Sequence, residues 1–496
     1  PRDMSRQPLE TANTVARLRG MDDVSQEAWL RRDEIQARLV RLLANYGYRR
    51  LETPMLEPTE LFLRKSGGEL ASQLYSFTDA GSNAVSLRPE FTSPTMRHYL
   101  EHAHEVATPA RWHYCGPVFR FDGPGLDGSG DVQSKASGGQ FTQIGGELIG
   151  ASSLLADVEL ISLAASVLSG AGLGRWTLQL ADLDVLYSLL KPLGLSERAQ
   201  AFVVQSVPRL RERRSAVSQL LEEGRHLHLV GQADESDHLS QAVQGLDDNQ
   251  ARGVLLGLLQ WDSNDQIGQR TPEAVVDRLL RKIRKSDDEN KLRLALEVAS
   301  DLAQVGGEPG DALNAAKSVL RNAGADQSAA DRLSAILELL SGQPDVTEHI
   351  VLDFGLVRGL AYYNGIIFEV THPGWPSALG GGGRYDGLSL ALGGDRAVPA
   401  LGFAYNLDAL MALTAASDES ADNSKTNGGI LVLSSDASSQ NEAFKAAQEL
   451  RDQGQVAVMD VDGLTLENAI AHAASMALGQ VLVVQKDGQR NSHKVE

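Results

Sequence analysis

The stretch DFGLVRGLAYY, from Asp353 to Tyr363, is followed by Asn364-Gly365 and then by IIFEVTH (366–372). Both flanks are rich in β-branched and aromatic residues, and an Asn-Gly pair between two such runs predicts a β-hairpin. Within this predicted hairpin, Arg358 stands alone among apolar neighbours. A buried guanidinium needs an anion or a carboxylate as its partner. A structural ion pair and a ligand-binding arginine both remain open for it.

A glycine-rich stretch follows the predicted hairpin. Gly380–Gly383 precede Arg384, Tyr385 and Asp386. Runs of glycine let the backbone approach a ligand closely, because no Cβ stands in the way. The two stretches together direct attention to a binding site on a sheet.

Length and composition limit the class of protein. The 496 residues exceed one hydrophobic core and predict roughly two to four domains. No apolar run reaches the roughly 18 residues of a membrane span, and the single cysteine, Cys115, together with the lack of an apolar leader predicts a cytoplasmic protein. A formal charge of −19 disfavours nucleic-acid binding, because it repels phosphate.

The order of the predicted elements favours an α+β fold. Residues 26–46 show helical spacing of apolar side chains, while WHYCGPVFRFD (112–122) and QFTQIGGELIG (140–150) predict two antiparallel strands. A helix is also predicted over residues 401–413. Helices alternate with antiparallel strand pairs and not with βαβ units, which predicts a sheet platform flanked by helices.

Changes in composition divide the chain into segments. The sheet-bearing core is expected to comprise residues 1–174 and 346–415, interrupted by a mainly helical insertion at 175–345. Residues 416–429 have the polar composition of a linker. Strands and helices alternate over residues 430–496, which predicts a small α/β domain.

The sequence contains partial matches to a cofactor motif and to a metal motif, and the surrounding residues argue against both sites. GPGLDG (123–128) fits the letters of GxGxxG, but its proline and the lack of a following helix argue against a dinucleotide site. His98 and His102 lie one helical turn apart and could share a metal. Spacing suggests no third ligand, so both are interpreted as helix-surface residues. We therefore predict no cofactor and no metal.

Four short stretches carry polar side chains on elements that are predicted to form one sheet. They are LRPEFT (87–92), VFRFD (118–122), QIGGE (143–147) and the predicted hairpin. Gln143 and Glu147 lie four apart on a strand and hence share a face. Taken singly, each stretch is more typical of a structural role. Jointly, their carboxylates, guanidiniums, amide and phenols suit a small zwitterion with a basic ring.

The same stretches, in the same order, resemble those of histidyl-tRNA synthetases, a family of class II aminoacyl-tRNA synthetases. The resemblance covers roughly residues 19–170 and 346–413. It implies a class II synthetase-like fold, in which an antiparallel sheet is flanked by helices, and a homodimer formed through residues 51–63. The last domain weakly resembles the anticodon-binding domain of that family.

The resemblance also implies the residues of a histidine site. They are Glu90, Thr92, Arg120, Gln143, Glu147, Arg358, Tyr362, Tyr363 and Tyr385. Glu90 and Thr92 would meet the amino group of histidine, and Glu147 would lie near its imidazole. Arg120 matches the motif 2 arginine of the family, and Arg358 matches its histidine-specific arginine.

Departures from the synthetase pattern fall outside this pocket. Synthetases carry Glu-Arg near the end of motif 3, where the arginine holds the ATP tail, but this chain has Asp408-Ala409. Alanine offers no charge to a triphosphate. Ala361 replaces the aspartate of the family's LDYY, and the motif 2 loop has Lys135 as its only cation.

This pattern is similar to that of the ATP phosphoribosyltransferase regulatory subunits. The similarity implies a non-catalytic subunit that senses L-histidine in the first step of histidine biosynthesis. Its partner would be a short-form ATP phosphoribosyltransferase catalytic subunit in a hetero-oligomer, without tRNA or membrane. The C-terminal domain and the long insertion fit this family poorly. A divergent histidyl-tRNA synthetase therefore remains open, as does a synthetase-derived binding module with another partner.

Overall fold

The computed structural model describes residues 15, 17–18, 20–64, 71–121, 139–212, 215–227, 229–230, 248–258, 276, 287–357, 363–415, 429–460, 462–476 and 478–495. The chain forms two compact units, Pro1–Ala416 and Ser417–Glu496. Arg358, Ala361 and Tyr362 lie outside the described residues, as does Lys135 with most of the motif 2 loop.

The larger unit contains a nine-stranded sheet and a three-stranded sheet. Its strands are β1 (Arg49–Arg50), β2 (Leu56–Pro58), β3 (Ser76–Thr78), β4 (Ala84–Leu87), β5 (Ala110–Phe119), β6 (Gln140–Ile149), β7 (Thr177–Asp182), β8 (Gly306–Gly307), β9 (Ile350–Asp353), β10 (Ile366–Thr371), β11 (Gly380–Arg384) and β12 (Ala400–Asn406). Its helices are α1 (Gln26–Asn45), α2 (Thr59–Leu63), α3 (Thr92–Glu101), α4 (Leu154–Ala171), α5 (Leu183–Leu190), α6 (Glu197–Glu212), α7 (Ala216–His226), α8 (Asp248–Leu258), α9 (Glu289–Ala303), α10 (Pro309–Asn322), α11 (Ser328–Leu340), α12 (Pro344–Thr347), α13 (Leu388–Ala391) and α14 (Leu407–Ala415).

The nine strands lie in the order β1-β5-β6-β12-β11-β10-β7-β9-β8. The central pairs from β5 to β7 are all antiparallel, whereas β1 with β5 and β7 with β9 are parallel. The predicted α+β platform of a mainly antiparallel sheet flanked by helices is confirmed. The two predicted strands at 112–122 and 140–150 are its pair β5 and β6, with Tyr114 opposite Gly145.

The hairpin predicted at Asn364-Gly365 is wrong. β10 begins directly after this pair and is bonded on one edge to β7 and on the other to β11. A strand has only two edges, and both edges of β10 are occupied by strands other than the first arm of the predicted hairpin, of which residues 358–362 lie outside the described residues. The Asn364 main-chain N–H donates instead to the Arg384 carbonyl at 2.8 Å. Gly365, at φ 67°, turns the chain into β10.

The helix predicted over residues 401–413 begins later. Ala400–Asn406 form β12 in the middle of the sheet, and the helix starts at Leu407. Leu401, Gly402 and Phe403 are all buried. Because successive residues of a strand face opposite sides of the sheet, both faces of β12 are covered. A strand covered on both faces has a continuous apolar run, which sequence periodicity does not separate from a buried helix.

The segment expected to be a helical insertion contributes to the sheet and its core. β7 starts at Thr177, inside that segment, and lies between β10 and β9. Leu296 on α9 and Leu333 on α11 belong to the same hydrophobic cluster as Phe368 on β10. These helices therefore pack together with the platform, within the unit Pro1–Ala416.

α4 is the described helix whose length and composition match a membrane span, with 18 residues and a mean hydropathy of 1.6. However, 67% of it is buried, and α1 packs directly on it through side chains such as Leu39 and Leu42 beside Gly170. The helix ends at Gly172, whose φ of 83° suits a glycine cap. These contacts are those of a core helix in a folded unit.

The smaller unit contains a four-stranded sheet in the order β14-β13-β15-β16. Its strands are β13 (Ile430–Ser434), β14 (Ala457–Met459), β15 (Gln480–Val484) and β16 (Arg490–Lys494), and its helices are α15 (Gln440–Asp452) and α16 (Leu466–Ser475). Separate apolar clusters involve each helix, with Ala446 on α15 and Ala473 on α16 fully buried. The likeness to an anticodon-binding domain stays a prediction.

Candidate functional site

Glu147 lies on β6, the third of the nine strands in the large sheet, and is fully buried. Its carboxylate accepts hydrogen bonds from three hydroxyl groups: Thr92 at 2.7 Å, Tyr114 at 2.9 Å, and Tyr385. Thr92 begins α3, Tyr114 lies on β5, and Tyr385 directly follows β11. The fold thus joins four separate elements around one carboxyl group.

Glycines make room for this carboxyl group. Gly402 on β12 pairs with Glu147 across the sheet, and a Cβ at that position would overlap the Glu147 carboxylate. Gly145 stands on the same strand and face as Glu147, where a Cβ would lie 2.8 Å from the Tyr114 hydroxyl oxygen. Both positions therefore require the close approach that only glycine permits.

Burial raises the pKa of Glu147 to about 8. The hydrogen bonds from Tyr385, Thr92 and Tyr114 oppose this rise, because they stabilise the ionised form. Nearby Glu90 adds to the rise through charge repulsion. Near neutral pH the unliganded site therefore holds a proton on a carboxyl group that is surrounded by hydroxyls.

Glu90 is the second buried carboxyl group of this site, with an exposed fraction of 4%. Its two oxygens accept the Ser93 main-chain N–H at 3.2 and 3.1 Å, at the start of α3. Burial raises the pKa of Glu90, and the charge of Arg120 works in the opposite direction. Arg120 itself donates through Nε to the Pro89 carbonyl at 3.0 Å. The Glu90 carboxyl and the Arg120 guanidinium are therefore neighbours.

Gln143 lies on the same strand as Glu147, and the even spacing places both side chains on one face. It is 7% exposed, and its Oε1 has no hydrogen-bond partner among the described residues. A buried acceptor without a donor costs free energy. Gln143 thus offers an acceptor that a ligand N–H would satisfy.

The remaining predicted residues fall into two groups. Tyr363 packs over Gly383, where a Cβ would lie 3.0 Å from its ring, and it borders the apolar cluster that contains Tyr385. Arg358 and Tyr362 lie outside the described residues. Their roles, like the binding role of every residue in this site, stay predictions.

Tyr114 is the site residue that sequence reasoning missed. Besides donating to Glu147, its ring stacks on Phe91 with centroids 4.3 Å apart. The signal was available in the pairing of WHYCG with QIGGE, because an antiparallel register places Tyr114 beside Gly145. The register depends on where β5 and β6 begin and end, which the local sequence does not specify.

Arg384 has a structural role that its position in the glycine-rich stretch did not reveal. Its guanidinium is 4% exposed and bonds Asp157 on α4 through Nε at 3.1 Å and Nη2 at 2.7 Å. The pair ties β11 to α4 and so supports the strand that leads into Tyr385.

A cavity of about 330 Å³ lies elsewhere in the larger unit, lined by residues that include Arg211, Gly306 and Asp353. It contains none of the predicted site residues. The Arg211–Asp353 ion pair at 2.6 Å forms part of its wall.

The sheet and the position of the site define a class II synthetase-like fold. A solved structure described as an ATP phosphoribosyltransferase regulatory subunit/histidyl-tRNA synthetase from Bacillus halodurans C matches with a TM-score of 0.63 at 19% identity, over 97% of this chain and 99% of that one. Apo histidyl-tRNA synthetase from S. aureus matches with a TM-score of 0.54 at 20% identity, over 97% of each chain. At these identities the likeness concerns the fold alone.

Sequence comparison gives the family. The histidyl-tRNA synthetase family model matches residues 20–259 and 265–410. Histidine–tRNA ligases from Archaeoglobus fulgidus (27% identical, 95% of this chain and 92% of the relative) and Methanocaldococcus jannaschii (26%, 94% and 91%) are similar along nearly their whole lengths. The chain belongs to the histidyl-tRNA synthetase family.

Proposed function

We propose that this chain binds L-histidine at the Glu147 site and acts as a non-catalytic, histidine-sensing regulatory subunit of ATP phosphoribosyltransferase in the cytoplasm. The observation that carries the proposal is a contrast between the Glu147 site on the sheet and the start of α14, the helix that follows β12. The carboxyl and hydroxyl groups around Glu147 are assembled, whereas Ala409 presents a fully buried methyl group where synthetases carry an arginine.

The bound amino acid would meet the two carboxyl groups with its two basic nitrogens. Glu147, held by Thr92, Tyr114 and Tyr385, would accept the imidazole N–H. Glu90 and the Oε1 of Gln143, which has no partner among the described residues, would accept N–H bonds from the ligand. Arg358 would hold the ligand carboxylate. Charge-assisted hydrogen bonds in a buried site give both affinity and selectivity.

At the end of motif 3, Asp408 and Ala409 offer no cation that could hold ATP for the formation of an adenylate. Asp408 uses its carboxylate within the fold, because it accepts from Arg32 at 2.6 Å and from the Thr142 main-chain N–H at 2.7 Å. Ala409 belongs to the hydrophobic core. Neither side chain therefore offers positive charge to a triphosphate.

A histidine site without activation chemistry suits feedback control. A ligand shifts an equilibrium between two states of a complex only when it binds one of them better. The partner would be a short-form phosphoribosyltransferase catalytic subunit, whose activity histidine would lower through this chain.

A second candidate function is histidyl-tRNA ligase. The observation in its favour is that the ligases from A. fulgidus and M. jannaschii are similar to this chain over more than 90% of both lengths, which includes the C-terminal unit. The acidic balance of −19 and the buried methyl of Ala409 favour the regulatory function.

Histidine-dependent ATP–pyrophosphate exchange separates the two candidates. The regulatory function predicts exchange at the level of a blank reaction. Robust exchange by the parent protein would contradict the regulatory function. Co-purification with a short-form phosphoribosyltransferase, and inhibition of that complex by histidine, then test the proposed partner.

Histidine titration calorimetry tests the site itself. Glu147→Ala and Arg358→Ala are expected to weaken binding at least tenfold, whereas the exposed Glu52→Ala control leaves it unchanged. No heat of binding in the parent protein would contradict both candidate functions.

A further inference from the structure

A cluster of three side chains at the C-terminal end of α3 lies outside the site described above. His98, Glu101 and His102 bring one ligand atom each to within 4.8 Å of one another. The two imidazole rings are 4.4 Å apart between centroids. At 1.5 Å per residue along the helix, the cluster begins about 9 Å from Thr92, at His98, and ends about 15 Å from it, at His102.

The spacing suits a metal ion held by a single helical turn. Residues three and four apart on a helix project from the same face, so His98 faces both Glu101 and His102. Sequence spacing offered two imidazoles and no third ligand. In the structure, Glu101 supplies the third, because the last turn of α3 brings its carboxylate beside both rings.

The hydrogen bond made by Nδ1 of His102 leaves its Nε2 available to bind a metal ion. Its Nδ1 lies 3.0 Å from the His98 carbonyl oxygen, which can only accept. The proton of the neutral ring therefore belongs on Nδ1, which leaves the Nε2 lone pair available to a metal. A ligating histidine that donates its other nitrogen to a carbonyl is the usual arrangement in metal sites.

Glu101 is able to leave its present partner at small cost. It accepts from Arg97 at 2.7 Å and is half exposed. The same guanidinium also binds Glu57, at 2.8 Å, and Glu57 is buried. Because Glu57 keeps Arg97 paired, Glu101 can rotate toward the imidazoles without leaving a cation unpartnered. Exposed ion pairs of this kind contribute little to stability.

We infer that His98, Glu101 and His102 form a binding site for a divalent transition-metal ion, with Zn²⁺ as the ion whose chemistry fits best. Two imidazole nitrogens and one carboxylate oxygen match the ligands that zinc takes, and solvent would complete a tetrahedron. At bond lengths of about 2.0 Å, tetrahedral ligand atoms stand about 3.3 Å apart. Side-chain rotations of about 1 Å therefore close the cluster around the ion.

Titration calorimetry of the untagged full-length chain with ZnCl₂, after removal of metal by a chelator, tests the site. We expect one equivalent of Zn²⁺ to bind, with the dissociation constant raised at least tenfold by His98→Ala and by His102→Ala. Glu101→Gln is expected to raise it several-fold, and it is also the variant least able to disturb folding, because this side chain is half exposed.

Cobalt and a matched histidine variant complete the test. Co²⁺ bound to imidazole and carboxylate in a tetrahedron absorbs visible light, and this absorption should vanish in the His98→Ala/His102→Ala double variant. His104→Ala is the control, because this exposed histidine is close in sequence but is not one of the three ligands. The inference is overturned if the parent protein does not bind Zn²⁺, or if the double variant binds it as tightly as the parent.

Discussion

At the scale of single residues, the protonation of Glu147 is the property that most depends on its surroundings. The side chain is fully buried, and its pKa rises from 4.5 to about 8. Three hydroxyl donors keep the group hydrogen-bonded in either state. Glu147 therefore titrates near physiological pH.

The raised pKa predicts a pH dependence of stability. Between about pH 4.5 and pH 8 the folded protein holds a proton on Glu147 that the unfolded chain releases. The free energy of unfolding should therefore fall as pH rises through this window, by about 1.4 kcal/mol per pH unit at most from this group. Glu147→Gln does not titrate and removes this contribution. Melting temperatures of both proteins across the window check it, and parallel pH profiles would contradict it.

Gly402 gives a second prediction at this scale. An alanine methyl would overlap the Glu147 carboxylate, so Gly402→Ala must displace that side chain or separate β12 from β6. We expect a loss of about 1–3 kcal/mol or more in stability, and loss of histidine binding. Gly174→Ala is the control, because its Cβ meets nothing within 4 Å. Thermal melting and histidine calorimetry measure both effects, and a Gly402→Ala variant that binds like the parent would refute the described geometry.

At the scale of elements, a buried ion pair fastens the strand that carries the site. Arg384 ends β11, and its guanidinium bonds Asp157 on α4, which also accepts from Arg332 on α11 at 3.2 Å. The Asp157 and Arg384 side chains are 1% and 4% exposed. Three elements are thus joined through the buried Asp157 carboxylate, which pairs with the buried Arg384 and the partly exposed Arg332.

Removing one partner of the Asp157–Arg384 pair should lower the free energy of unfolding. Asp157→Ala leaves Arg384 buried without its main counter-charge, and such losses typically cost about 3–5 kcal/mol. The matched control is Glu60→Ala, which breaks the exposed Glu60–Arg64 pair and should cost less than about 1 kcal/mol. Calorimetric unfolding of the three proteins compares them, and equal losses for both variants would contradict a special role for the buried pair.

At the scale of the whole molecule, exposed apolar side chains mark a surface of the larger unit. Met55, Leu56, Leu63 and Phe77 are between 42% and 52% exposed, and they lie on or next to β2, α2 and β3. Residues 51–63 are the segment through which family resemblance implies a homodimer. Clustered apolar exposure of this kind is typical of an interaction surface.

We accordingly predict a homodimer through this segment. Light scattering after size-exclusion chromatography should give about twice the chain mass of 53.3 kDa. Met55→Glu/Leu63→Glu should give the monomer mass, because it places charges within the apolar contact. Leu339→Glu is the matched control, since Leu339 is 46% exposed on α11, away from this segment. A double variant that stays dimeric would exclude this interface.

Local patterns in the chain were sufficient to predict several elements. Helical spacing placed α1, and strand composition placed β5 and β6, because both signals reside in neighbouring residues. The partners of β10 and the start of α14 were mispredicted, since β7 and β11 occupy both edges of β10 and the buried β12 has no alternating pattern. Those outcomes depend on strands distant in sequence.

The same division applies to the site. The sequence by itself determined the chemical groups, including the shared face of Gln143 and Glu147, and it determined the family through the order of its motifs. Only the tertiary structure decided that Tyr114 donates to Glu147, that Gly402 leaves space for the carboxylate, and that Glu101 brings a carboxylate oxygen within 4.8 Å of the imidazole nitrogens of His98 and His102. Hydrogen bonds and burial depend on distances between side chains from different elements. Such distances, and the pKa values that follow from them, exist only once the chain is folded.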